Sequence, residues 1–277
     1  SKAIRTATAL ELDNENILDI AEDKMADIRG NRMGMIFQEP MTSLNPAYTI
    51  GNQMEETLIR HRKASREEAR DRAVFLLEKV GITAARSRLR QYPHQLSGGL
   101  RQRVMIAMTL MCGPDLIIAD EPTTALDVTI QAQILLLLAE LQKEFDMGLV
   151  LITHDLGVVA RVADRVAVMY AGQIVEQGSA KQVFENPTHP YTQGLLECIP
   201  IPGKTARGNH LGSIPGIVPS LIGEMYCCHF AERCSYASNP CHSAPVDLRP
   251  GFTNAHDYRC VMSPEQCADN LKQKVPA

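Results

Sequence analysis

A chain of 277 residues with 45% hydrophobic, 22% charged and 5% aromatic side chains has the balance of a folded protein of one or two domains, which excludes a disordered chain. Its 28 basic and 32 acidic residues leave a formal charge of −4, so no net positive field is available to hold a polyanion, and nucleic acid is not an expected partner. No stretch approaches the roughly 18 consecutive apolar residues of a spanning helix. The acidic first thirty residues lack a signal peptide's apolar core, so the expected compartment is the cytosol.

In chain order, Met33–Phe37 reads as a short buried strand running into a turn-rich stretch, Gln38 to Pro46. Helices are predicted at about 52–61 and 66–80, the second opened by Ser65 and Glu68 at capping-box spacing and stopped by Gly81; together they form a helical insert. A glycine pair, Gly98-Gly99, precedes a helix to about Cys112. Strand Leu116–Ala119 then ends in Asp120-Glu121. A helix over about 129–145 leads to strand Gly148–Thr153 and His154, then to strands Arg165–Tyr170 and Gln173–Gln177 around Ala171-Gly172. Alternating strands and helices predict an α/β fold with a mainly parallel sheet covered on both faces, and ligands at the strands' carboxyl ends. Beyond about Glu197 the periodicity fades and prolines recur, which places a domain boundary there: 1–197 and 198–277.

Three features carry chemistry. Asp120 and Glu121 leave the end of an apolar strand on opposite sides, so one can reach a Mg²⁺ shell while the other faces a water; taken alone, the pair reads equally as a solvated strand terminus. Leu96-Ser97-Gly98-Gly99, followed by Leu100, Arg101 and Gln102, puts a hydroxyl and two residues without side chains at a helix start, where free N–H groups and the dipole favour phosphate. A plain Ser N-cap is the simpler alternative. The third is a run of cysteines, Cys228-x5-Cys234-x6-Cys241-x18-Cys260, with Cys227 adjacent. In a reducing compartment such a cluster points to metal rather than disulfides, and its spacing is unlike paired zinc knuckles. Cys112, Cys198 and Cys267 read as scattered thiols, and His94 and His189 as structural.

Together these segments resemble the ATP-binding subunit of an ABC transporter, through the signature sequence Leu96–Gln102, the Walker B strand Leu116–Glu121, the D-loop Ala125-Leu126-Asp127, the switch His154 and the Q-loop Gln38. The stretch Phe37–Pro46 is similar to the subgroup serving dipeptide and oligopeptide importers. The resemblance spans about 20–197 and implies a P-loop-NTPase-like nucleotide-binding domain with a helical subdomain over about 50–113, followed by a loop-rich, cysteine-bearing extension. It implies ATP and Mg²⁺ as ligands, Gln38, Glu121 and His154 as catalytic groups, and Asp120, Leu96, Ser97, Gly98, Gly99, Gln102 and Asp127 as nucleotide-binding positions. For the extension it implies a 4Fe–4S cluster on Cys228, Cys234, Cys241 and Cys260. The implied partners are two transmembrane permease subunits, a second ABC ATPase subunit and, indirectly, an extracytoplasmic peptide-binding protein, with the chain peripheral on the cytoplasmic face of the bacterial inner membrane.

One family element has no counterpart. A P-loop needs Gly-x-x-x-x-Gly-Lys-Ser/Thr, and the single Gly-Lys-Thr, Gly203–Thr205, has Cys198 in place of the first glycine and follows the switch histidine. The resemblance then implies that the amino-terminal part of the nucleotide domain lies outside these residues. Two readings follow: an energy-coupling subunit of a peptide importer, or a degenerate or truncated subunit that lends its signature segment to a partner ATPase without hydrolysing ATP. A soluble ABC protein acting on ribosomes or DNA fits less well, given one signature segment and a negative charge.

Overall fold

The computed structural model describes residues 7–39, 43–124, 126–199, 212–219, 223, 226–253 and 255–274. Pro40–Thr42 of the turn-rich stretch, Ala125 of the D-loop and Gly203–Thr205 lie outside the described residues. The chain divides into two compact units, Ser1–His154 and Asp155–Ala277.

The first unit opens with strands β1 (Glu11–Leu12) and β2 (Glu15–Asn16), whose antiparallel pairing turns through Asp13 and Asn14, both at positive φ, a conformation Asn and Asp tolerate. Leu12 and Ile17 pack there with Met25 and Ile28 of α1 (Glu22–Ile28). Strands β3 (Met33–Ile36), β4 (Leu116–Asp120) and β5 (Gly148–Ile152) form a parallel sheet in the order β3-β4-β5, with Met35 opposite Ile118 and Ile118 opposite Val150. Loops carrying Gln38, Glu121 and His154 therefore leave the same edge of one sheet.

Between β3 and β4 lies the helical insert: α2 (Ile50–Arg62), α3 (Arg66–Lys79), α4 (Ala85–Arg88) and α5 (Gly98–Thr109). In α3 the buried residues Ala69, Ala73, Leu76 and Leu77 fall at helical spacing on one stripe, and they bury with Met54 of α2 and Val104, Met105 and Ile106 of α5. Ser65 and Glu68 form the predicted capping box, each side chain accepting from the other's backbone N–H. Gly51 is needed where α2 meets the segment after α4, since a Cβ there would lie 2.9 Å from the Leu89 carbonyl oxygen. Helix α6 (Val128–Glu144) follows β4 and buries Ile134, Leu135, Leu138 and Leu141.

The second unit starts with α7 (Leu156–Val162). Strands β6 (Arg165–Tyr170) and β7 (Gln173–Ser179) do not extend the parallel sheet; they form an antiparallel hairpin turned through Ala171 and Gly172, both at positive φ. Helices α8 (Ala180–Glu185), α9 (Pro190–Glu197) and α10 (Asn239–Ser243) come next, then strands β8 (Arg249–Pro250) and β9 (Asp257–Tyr258), and helix α11 (Pro264–Lys274). The order β6-β7-β9-β8 ties residues beyond 197 into a sheet begun before it, with Glu176 opposite Tyr258. Val168, Tyr170, Val175, Val183 and Phe230 form this unit's core, the Tyr170 and Phe230 rings meeting edge to face at 5.2 Å. Among the described residues no helix is long and apolar enough to cross a membrane.

Candidate functional site

Strand β4 delivers Glu121 to the center of a hydrogen-bonded group. Gln38 Nε2, just past β3, donates to Glu121 Oε2 at 3.0 Å; Thr124 Oγ1 donates to the same oxygen at 2.8 Å; His154 Nδ1, just past β5, lies 3.4 Å from Glu121 Oε1. Donors to a carboxylate favour its charged form, and the Glu121 carboxyl is held below its ordinary range, first by Thr124 and then by His154. The backbone is fixed as firmly: Glu121 N–H donates to Ile152 O at 2.9 Å, and its carbonyl accepts from Thr124 N–H at 3.1 Å. Glu121 also sits at φ +42°, a left-handed conformation that costs a non-glycine residue of order 1–3 kcal/mol. Asp120, the last residue of β4, is half-buried beside it.

The predicted trio Gln38, Glu121 and His154 is thus brought together across 83 and 33 residues of sequence. Thr124 joins them unannounced. Its only signal was a hydroxyl three residues past the acid in a proline-led turn.

The signature residues form a second grouping, with no hydrogen bond to the Glu121 group among the described residues. Ser97 caps α5, its Oγ accepting from Leu100 N–H at 3.4 Å, and Arg101 Nε returns to Leu96 O at 2.8 Å. A Cβ on Gly98 would meet Leu126 at 3.6 Å and one on Gly99 would meet Ile130 at 3.3 Å, so the glycines lie against the D-loop and the start of α6. Asp127 caps that helix through Oδ1, which accepts from Ile130 N–H at 3.0 Å. Gln102 is buried and its Nε2 has no hydrogen-bond partner.

In the second unit, Cys228 N–H donates to Cys241 O at 2.9 Å, and Cys228 and Cys234 each lie within electrostatic reach of Cys241 and Cys260. Burial pushes both of the first two thiols up, Cys234 to about 11. The Cys260 thiol is instead drawn down to about 7, chiefly by a hydrogen bond from Cys267. Among the described residues no three His, Cys, Asp or Glu side chains stand close enough to hold a single metal ion.

Residues 3–124 match the family described as ABC transporter, and residues 175–241 match the oligopeptide/dipeptide transporter, C-terminal region. The chain is 57% identical over 246 residues to a protein of Brucella melitensis biotype 1 named as a peptide import ATP-binding protein, covering 87% of this chain and 72% of that one. It is 53% identical to the dipeptide transport ATP-binding protein DppD of Bacillus subtilis, covering 91% of this chain and 75% of the relative. Among solved structures it is similar to the dimeric post-hydrolysis ATP-binding cassette MJ0796 bound to ADP and Pi, at 32% identity and TM-score 0.54, over 61% of this chain and 72% of that chain. It is also similar to cbiO1 of Clostridium perfringens, part of the transporter complex cbiONQ, at 30% identity and TM-score 0.55, over 63% and 67% of the two chains. With the motifs in family order and relatives above half identity across most of their length, the chain belongs to the ATP-binding proteins of ABC-type peptide importers.

Proposed function

We propose that this chain is the energy-coupling subunit of a bacterial peptide importer, linking ATP hydrolysis to transport through two permease subunits and a second ATPase subunit on the cytoplasmic face of the inner membrane. The observation that carries this reading is the convergence of Gln38, Thr124 and His154 on one ionised carboxylate, Glu121. The names of the relatives support it and do not favour a partner-only half that hydrolyses nothing.

In this reading Glu121 orients the attacking water and takes up its proton; its hydrogen bonds keep the carboxylate ionised and fix its direction, at some cost in basicity. His154 and Gln38 fix the carboxylate from both sides and face the terminal phosphate and the metal. Bound ATP supplies the transferred phosphoryl group, and Mg²⁺ neutralises its charge. Asp120 offers a hard oxygen donor at the strand end, as Mg²⁺ requires. Ser97, Gly98 and Gly99 at the start of a 12-residue helix offer N–H groups to a phosphate, with Leu96, Gln102 and Asp127 shaping that surface. The P-loop pattern does not occur in the 277 residues, so this phosphate cradle is not among the contacts assigned here.

We also infer that 1–197 and 198–277 remain the functional division. On that division Cys228, Cys234, Cys241 and Cys260 hold a 4Fe–4S cluster that orders the proline-rich extension and takes no part in hydrolysis.

The test is Glu121→Gln in the importer assembled with its permease subunits, with a P-loop supplied upstream of these residues. Nucleotide binding is retained while ATP turnover falls by roughly 10²-fold or more, the range for loss of a general base. Turnover near the unsubstituted rate would remove Glu121 from the proposed role.

A further inference from the structure

The extension carries an open cleft of about 310 Å³, a size at the lower end of small-ligand sites, to which energy coupling gives no task. Ala244, Pro245, Val246 and Val261 line it with apolar surface, and Asp247 and Arg249 bring one charge of each sign. Its walls are tied to the antiparallel sheet. Arg249 on β8 pairs with Tyr258 on β9; its guanidinium carbon lies 5.0 Å from the Tyr258 ring centroid, and its Nη2 donates to Met262 O. Val246 O accepts from Arg259 Nη1 at 2.7 Å, and Arg259 Nε donates in turn to Ile174 O of β7 at 2.9 Å. The charges themselves are left unmatched: among the described residues neither Asp247 nor Arg249 forms an ion pair, and Arg249 Nε is buried without a hydrogen-bond partner.

We propose that this cleft is a binding site for a short zwitterionic peptide, with the peptide carboxylate on Arg249, its ammonium on Asp247 and its small side chains against Val246 and Val261. A guanidinium presents a planar fork that matches a carboxylate, and one already held against a ring loses little side-chain freedom on binding. A simple anion would use Arg249 alone and meet Asp247 as a repelling charge. A simple cation would meet the reverse, so the pair selects a molecule that carries both signs. That this zwitterion is a peptide rests on the importer function proposed above; peptide released by transport is then what the extension samples. Cys260 also borders the cleft, yet the site asks nothing of its sulfur and is the same with or without a cluster.

The experiment is titration calorimetry on the full 277-residue chain with four probes: alanyl-alanine, its N-acetyl derivative, its carboxyl amide and inorganic phosphate. Alanyl-alanine is expected to bind, and blocking either terminus to weaken it about tenfold, the effect of one lost contact to a charged group. Asp247→Asn is expected to weaken alanyl-alanine about tenfold and to leave the N-acetyl derivative unchanged, since that probe has no ammonium to lose. Ala244→Trp fills the cleft from its exposed rim, leaves the contacts of Arg249 in place and is expected to abolish binding. No heat of binding from alanyl-alanine overturns the site. So does phosphate or either blocked peptide binding as tightly as alanyl-alanine, or alanyl-alanine binding unchanged in both variants. None of these arms reads ATP turnover, so their failure leaves the importer function standing, and a failure of the Glu121→Gln test leaves the site standing.

Discussion

Glu121 shows how much of this site depends on groups that do no chemistry themselves. Thr124 is the largest single influence holding its carboxyl below the ordinary range. Thr124→Val keeps the shape but removes the donor, so the carboxyl rises toward its usual value near ~4.3 and loses one of three fixed directions. A hydrogen bond to a charged group contributes about 1.5 kcal/mol or more, so turnover in the assembled importer should fall about tenfold, with Thr124→Ser close to unsubstituted. Equal rates in Val and Ser variants would show that Gln38 and His154 suffice. The sequence made Gln38, Glu121 and His154 legible because their order along the chain is distinctive. Thr124 was not legible, since a threonine in a turn is common and only the fold places its hydroxyl at 2.8 Å from the acid.

Helix α9 carries the clearest acid sensitivity. Its N-cap, His189, is buried, and its Nδ1 accepts from Tyr191 N–H at 3.0 Å, a bond only an unprotonated nitrogen can accept. Burial lowers the His189 pKa to about 3, against about 6.5 unfolded. Because the folded value lies below the unfolded one, the unfolded chain binds more protons between those limits. Stability is then fully present above about pH 6.5 and falls as pH drops toward 3, by up to roughly 1.4 kcal/mol per unit. His189→Asn keeps a capping oxygen without the titration, so its denaturant midpoint should depend less on pH between 6.5 and 4; identical slopes for the two proteins would refute this. The cap is helped by Glu176 of β7, which accepts from Thr188 N–H at 2.7 Å and His189 N–H at 2.9 Å and also meets His256 Nε2 at 2.7 Å. Reading His189 as structural was sound, but Glu176 and His256 are 80 residues apart and nothing local joins them. Most longer elements were legible from apolar spacing and caps. The antiparallel direction of β6 and β7 was not read from the sequence, which placed them in the mainly parallel alternation, although a two-residue turn at Ala171-Gly172 permits only such a pair. Strands β8 and β9, two residues each, leave no periodicity to read.

Across the molecule, the parallel sheet of the first unit departs from the expected cover on both faces. Strand β5 has an apolar sequence, Gly148–Ile152, yet Val150 and Ile152 are each 48% exposed, where parallel strands are ordinarily buried on both sides. Among the described residues it pairs with β4 alone. Among the described residues no strand pairs with the other side of this uncharged, apolar strand, and such an edge accepts a further strand. For the isolated 277-residue chain, copies are then expected to join edge to edge as concentration rises. Light scattering should climb steeply with protein concentration and subside in Val150→Lys, whose charge disfavours strand addition. Scattering that stays flat into the millimolar range would mean that the chain guards this edge by itself.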